Sequence, residues 1–227
     1  MRRAALFLAT SALALDACAG PGSTLEPGGR HAARIAELTW LMTGIATAIV
    51  VLVAAILAMG LLRRSWPALW PAGRLSDRAI IVGGGILLPA IVLPFLWAVT
   101  LRDLGALADA PSPPVVTIEI TAHQWWYEVH YPEHDLTLRD ELYLPAGRTV
   151  LLRVTSADVI HSFWAPRLAG KIDMIPGRMN EVWVEAAEPG RYLVECAEFC
   201  GLWHARMHMS IVAEAPADFA TRMAGGE

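Results

Sequence analysis

The sequence predicts a membrane-anchored all-β protein: a two-helix transmembrane hairpin followed by a Greek-key β-sandwich or barrel. Three observations predict it. Two long apolar runs, residues 38–62 and 79–101, contain no charged residue. Hydrophobic residues make up 55% of the 227-residue chain, and most of the apolar excess lies before residue 102. After residue 114 the texture changes to short stretches of alternating apolar and polar residues, separated by turn signals.

Residues 1–18 read as an export signal. Arg2 and Arg3 make a basic start, and Ala4 to Leu15 form an apolar run too short to span a bilayer. Leu15-Asp16-Ala17-Cys18 is similar to a lipoprotein cleavage box, with Cys18 as the lipid-bearing residue. The alternative is a chance cysteine in an ordinary signal peptide. Residues 19–37 hold Pro21, Gly22, Pro27, Gly28 and Gly29 and are expected to be a flexible tether.

Residues 38–103 form the expected hairpin. Each apolar run is long enough to cross a bilayer as a helix. Gly83, Gly84, Gly85, Pro89 and Pro94 interrupt the second, and a membrane helix packed on neighbours tolerates them. The intervening loop carries Arg63, Arg64, Arg74 and Arg78 against Asp77 alone, so the positive-inside rule places it in the cytoplasm. Trp66 and Trp70 suit the membrane interface. Both flanks of the hairpin are then expected on the periplasmic side of a bacterial inner membrane.

Residues 104–114 read as a linker, 115–215 as the β domain and 216–227 as a C-terminal tail, with a helical pattern near Asp218 to Met223. "VVTIEITAHQWWYEVHY", "ELYLPAGRTVLLRVTS", "MNEVWVEA", "GRYLVEC" and "MSIVAE" supply the strands. From Arg102 onward there are 18 acidic and 10 basic residues, an excess of 8 negative charges. That balance excludes nucleic acid as a partner and suits a basic one.

"CAEFCGLWHARM", residues 196–207, carries the chemistry. Cys196, Cys200, His204 and Met207 are spaced by four, four and three residues. Thiolate and thioether are soft donors, and imidazole suits copper and zinc alike. A disulfide between the cysteines leaves His204 and Met207 idle. A structural zinc site wants a further Cys or His rather than Met. A weak methionine ligand favours copper. His161, at the end of an expected strand in "SADVIHSFWAPRLAG", is the further imidazole candidate. A mononuclear copper site uses one cysteine. Two cysteines, each with its own histidine, suit two coppers bridged by both sulfurs, with Met207 and a backbone carbonyl as weak ligands.

The export signal, hairpin and β domain, with "HSFW", "DMIPGR" and "CAEFCGLWHARM", together resemble subunit II of the haem–copper cytochrome c oxidases, over roughly residues 38–215. The resemblance implies a cupredoxin fold with a binuclear copper A centre. It implies Cys196 and Cys200 as bridging ligands, His161, His204 and Met207 as further ligands, and Glu198 as the carbonyl donor. The Glu198 carboxylate is then expected on a magnesium ion shared with subunit I, where the haem resides. Trp125, in "AHQWWYEVHY", is implied as the point of electron uptake from a c-type cytochrome, and Arg178 as part of the route to haem. Asp158 is the candidate docking residue for that cytochrome. His123, His130, His134 and His208 are expected to be ordinary surface or sheet histidines. Many members of the family carry a glutamate early in the second helix; here "AIIVGGGILLP", around Val82 and ahead of Pro89, holds no acid. The sequence has no C-x-x-C-H, so no covalently attached haem is expected. Two rival readings share some features: a quinol oxidase subunit, which would lack both cysteines, and a membrane-tethered copper-delivery protein.

Overall fold

The computed structural model describes residues 20–65, 76–108 and 113–225. The export signal, Cys18, Trp66, Trp70 and Arg74 lie outside the described residues. Residues 37–109 form one compact unit, and the described residues on either side of them form another.

The first unit is helical. Helix α1 spans Arg30–Ser65. It starts at Arg30 rather than near Leu38 because residues 30–37 contain no glycine or proline and include strong helix formers. The second helical run opens with α2, Asp77–Val82, where the Ser76 side chain accepts from the Ala79 N–H at 3.2 Å and caps the first turn. It widens into a π turn over Gly83–Leu87 and continues as α3, Leu88–Ala108. Three consecutive glycines present no side chains to crowd that wider turn. The helix runs past Leu101 into the expected linker. Both runs are long and apolar enough to cross a membrane. Their apolar side chains, Leu57, Leu61, Ile91 and Trp97 among them, are exposed in the isolated chain, as side chains meeting lipid or partner helices must be.

The second unit is the β domain. Its strands are β1 (Thr117–His123), β2 (Trp126–Tyr131), β3 (Leu136–Arg139), β4 (Glu141–Pro145), β5 (Val150–Ser156), β6 (His161–Phe163), β7 (Ile172–Met174), β8 (Asn180–Val184), β9 (Gly190–Glu195) and β10 (His208–Glu214). A five-stranded sheet runs β3-β2-β1-β5-β8, and a three-stranded sheet runs β4-β10-β9. The pairs β1·β5 and β4·β10 are parallel and the others antiparallel. Strands distant in sequence therefore lie side by side, giving two packed sheets of the Greek-key type. Alternation fixes which side faces inward. Ile118, Ile120 and Ala122 of β1 are buried, as are Tyr127, Val129 and Tyr131 of β2, and they share one core with Leu142, Leu144, Met209 and Ile211 from the other sheet. The short pair β6·β7 carries His161.

One segment departs from expectation. The tether is bonded to the β domain: Gly28 N donates to Arg167 O at 2.7 Å, Ala187 N to Gly28 O at 2.7 Å, and Arg167 Nε to Glu26 O at 2.9 Å. Arg30 pairs with Glu185 at 2.9 Å. Gly28 and Gly29 serve close approach. A Cβ on Gly29 would stand 2.1 Å from the Glu185 carbonyl oxygen, and one on Gly28 2.5 Å from the Tyr192 ring. The helical pattern expected near Asp218 to Met223 is helix α4, Pro216–Gly225, with Phe219 and Met223 buried. Arg222 fastens it, forking onto Glu214 and lying 3.9 Å over the Tyr143 ring.

Candidate metal centre

The five side chains expected as copper ligands, His161, Cys196, Cys200, His204 and Met207, gather in one place in the β domain. His161 opens β6. The other donors lie on the loop joining β9 to β10, whose turn over His204–Arg206 is a short 3₁₀ helix. The loop is pinned at its base, where Cys196 N donates to Met207 O at 3.1 Å, and Met207 N to His204 O at 3.2 Å. Ala197 N donates to the buried Ser162 hydroxyl at 2.7 Å, and Tyr127 OH to Ser162 O at 2.8 Å. Burial and the nearby Cys196 push the Tyr127 phenol far above its ordinary pKa, so it remains a donor. At the tip, Gly201 has φ +118°, a conformation that favours glycine, and a Cβ there would crowd Gln124 and Trp125.

The donor atoms form a continuous chain. His161 Nδ1 lies 3.9 Å from Cys196 Sγ, which lies 3.8 Å from Cys200 Sγ. Cys200 Sγ lies 3.6 Å from His204 Nδ1 and 4.0 Å from Met207 Sδ. The Glu198 carbonyl accepts from Cys196 Sγ at 3.2 Å. His161 is 0% exposed, Met207 2%, Cys200 4% and Cys196 6%, while His204 is half-buried. Both cysteines are free thiols. Burial and the adjacent Cys196 push the Cys200 thiol up to about 12, so a metal binding here must displace protons. Among the described residues, His161, Cys196 and Cys200 are the group close enough to hold one ion together. Two soft thiols, two imidazoles, a thioether and a carbonyl fit copper better than zinc, which rarely takes methionine.

The surroundings separate the remaining candidates. Trp125 Nε1 donates to the Cys200 carbonyl at 3.2 Å, and Gln124 Nε2 donates to the same oxygen at 2.8 Å. Asp158 stands behind His161, accepting from His161 Nε2 at 2.8 Å, Val159 N at 2.6 Å and Gln124 N at 2.7 Å. Burial alone would raise its pKa, but these three bonds outweigh it and hold the carboxyl below its usual range. The Glu198 carboxylate points away from the sulfurs and pairs with Lys171 at 2.9 Å. Lys171 also pairs with Asp173. Arg178 is not among the donors. It is exposed, bonds Asn180 Oδ1 at 2.9 Å and borders a shallow depression with Lys171 and Asp173. His123 stacks on Trp126 at 4.3 Å and His130 meets the Thr137 hydroxyl at 3.1 Å, both away from the centre. His134 lies exposed beyond the end of β2. The loop's outer surface is apolar, with Phe199 79% and Leu202 86% exposed.

Comparison with known proteins bears on this arrangement. Residues 134–215 match the family model described as cytochrome c oxidase subunit II, periplasmic domain. A Rickettsia bellii protein named "Probable cytochrome c oxidase subunit 2" is 31% identical over 199 residues, covering 77% of this chain and 72% of its own length. This chain belongs to the cytochrome c oxidase subunit II family. A second subunit II relative, from Alkalihalophilus pseudofirmus, is 40% identical over 131 residues, 56% of this chain. The chain spans 38% of that relative's length and 62% of the Rickettsia felis relative's. The crystal structure of the periplasmic domain of subunit II of the Bradyrhizobium japonicum cytochrome oxidase is 31% identical, covers 52% of this chain and 96% of that one, and gives a TM-score of 0.49. As a member of the subunit II family, the chain is membrane-anchored through its two apolar helices. The family implies copper, and this chain brings His161 and two cysteines close together in a buried cluster. Sequence reasoning missed Gln124, Ser162 and Lys171. Gln124 adjoins Trp125, and Ser162 follows His161, in motifs already singled out, but nothing local marks Lys171.

Proposed function

We propose that this chain is the electron-uptake subunit of a cytochrome c oxidase, holding a binuclear copper A centre. The observation that carries the reading is the run His161–Cys196–Cys200–His204, with successive donor atoms 3.9, 3.8 and 3.6 Å apart and Met207 Sδ 4.0 Å from Cys200. Cys196 and Cys200 would bridge two coppers, each of which would take one histidine, with Met207 and the Glu198 carbonyl as weak ligands. When bound, such a pair shares one electron across two sulfurs and accepts or releases it with little rearrangement.

The chain's own residues do the rest. The β6 and β9–β10 segments fix the donors, and burial keeps water from them. Trp125, hydrogen-bonded to the Cys200 carbonyl, links the domain surface to a ligand backbone and serves as the uptake point from a c-type cytochrome. Lys171 and Arg178 lie on the side where Glu198 presents its carboxylate. There the Glu198 carboxylate would hold the magnesium shared with subunit I instead of pairing with Lys171, and Arg178 would lie on the route to haem. The arginine-bearing loop puts the helix connection in the cytoplasm and the β domain in the periplasm. A donor cage this deeply buried suits a resident centre rather than a copper-delivery protein, which needs exposed, labile ligands.

The test is electron paramagnetic resonance and metal analysis of the full chain purified with its haem-bearing partner. Two coppers per chain sharing one unpaired electron support the reading. A single copper with a mononuclear spectrum, or no co-purifying haem subunit, overturns it.

A further inference from the structure

His208 follows Met207 directly, yet the copper centre does not use it. It is the first residue of β10, and its register partner is Glu195 on β9. Residues opposed in an antiparallel ladder project from the same face, with Cβ atoms about 5 Å apart. His208 is exposed and Glu195 half-buried. Both line an open depression of about 200 Å³, which is also lined by Cys196, His204, Met207 and Trp164. The depression therefore joins exposed His208 and half-buried Glu195 to three of the expected copper ligands, Cys196, His204 and Met207. His130 and His134 do not line it.

We propose that this depression is the intake port for copper, and that His208 and Glu195 form a transient capture site at its mouth. The proposal rests on the copper reading above. Cys196, Cys200 and Met207 are nearly closed to solvent, so an ion must shed its water to reach them. Imidazole and carboxylate at the rim replace that water first. His204, half-buried in the same depression, offers the next imidazole, and the sulfurs follow. Softness increases inward, and copper, the softer ion, gains at each exchange. Two rim donors hold an ion more weakly than the full set below, so the ion passes inward rather than resting at the mouth.

The experiment uses the full chain in detergent, stripped of metal and reduced. Cuprous ion is supplied anaerobically as its bicinchoninate complex, and loss of the complex's colour gives the uptake rate. Groups just outside a metal's ligand set typically cost about 10–100-fold in affinity or activity when lost, and a transient rim donor is set at the low end, about tenfold. His208→Ala and Glu195→Gln are each expected to slow uptake by about that factor, with the final copper count unchanged and, after one-electron oxidation of the loaded chain by ferricyanide, the same spectrum. His134→Ala, an exposed histidine elsewhere, should load at the wild-type rate. Equal rates in His208→Ala and wild type overturn the port. So does a lower final copper count in His208→Ala, which would make His208 part of the resident centre. A wild-type chain that takes up no copper fails at the centre itself, a different result from a failed port.

Discussion

His161 and Asp158 share a 2.8 Å hydrogen bond on the side of the imidazole away from the cysteines. Nε2 donates to the carboxylate, which leaves Nδ1 facing Cys196 as a lone-pair donor. The partner of a ligand histidine fixes its tautomer and orientation and raises its basicity. Asp158→Ala is therefore expected to weaken copper binding by roughly 10–100-fold, measured by competition with a chelator. Asp158→Asn should keep copper and shift its reduction potential. A purely docking role would instead change the salt dependence of electron uptake and leave affinity and potential alone.

Cys200→Ser places a hard hydroxyl at a position 3.8 Å from Cys196 Sγ and 3.6 Å from His204 Nδ1. A serine hydroxyl is not deprotonated at neutral pH and does not bridge soft metals as thiolate does. The variant should fold and lose the two-copper centre. Metal analysis showing two coppers per chain would refute the assignment.

Met207→Leu removes a thioether 4.0 Å from Cys200 Sγ while nearly conserving volume in a buried site. Copper should stay and its potential should move, because only a weak ligand is lost. Voltammetry of the variant beside wild type checks it.

Trp125→Phe keeps an aromatic ring beside the ligand loop but removes the pyrrole half of the indole, with the N–H that donates to the Cys200 carbonyl at 3.2 Å. Electron uptake from a c-type cytochrome should slow while the copper spectrum is unchanged. Stopped-flow reduction at matched concentrations gives the answer. An unaltered rate assigns the indole to packing.

Gly29→Ala puts a methyl 2.1 Å from the Glu185 carbonyl oxygen, where the obstacle is backbone and cannot rotate away. Overpacking of this kind costs about 1–3 kcal/mol. The β unit should melt earlier, read by thermal unfolding of the full chain in detergent, with copper stoichiometry intact below the transition.

The donors were readable because four of them fall within twelve residues, where spacing and softness constrain each other. His161 was readable by position, at a strand end where loops gather. Alternation likewise gave β1, β2 and β5. Asp158 was read only as a docking residue, because an acid beside a binding loop gives no sign in sequence of the histidine it also bonds. Its bonds to Val159 and His161 are local, but the third, from Gln124 N, exists only once the end of β1 meets the loop between β5 and β6. Lys171 and Ser162 were missed for the same reason, since their partners Glu198 and Ala197 lie 27 and 35 residues away. Gly28 and Gly29 read as flexibility, though the structure uses them for contact. A glycine-rich segment signals a missing side chain, and only the neighbours decide whether that means freedom or closeness.

The bond from Arg167 to Glu26 joins residues 141 positions apart, with both apolar helices between them. Synthesis delivers the clasp first, then the hairpin, and the strands that receive the clasp last. The domain therefore cannot close until the helices have been threaded and both flanks have returned to one another. A fragment cut at the linker would keep every copper donor and still be an unfinished domain, with the Leu168 and Glu185 edge uncovered. A faithful soluble version is a splice, in which 20–36 is joined to 113–225 and the hairpin replaced by a short loop.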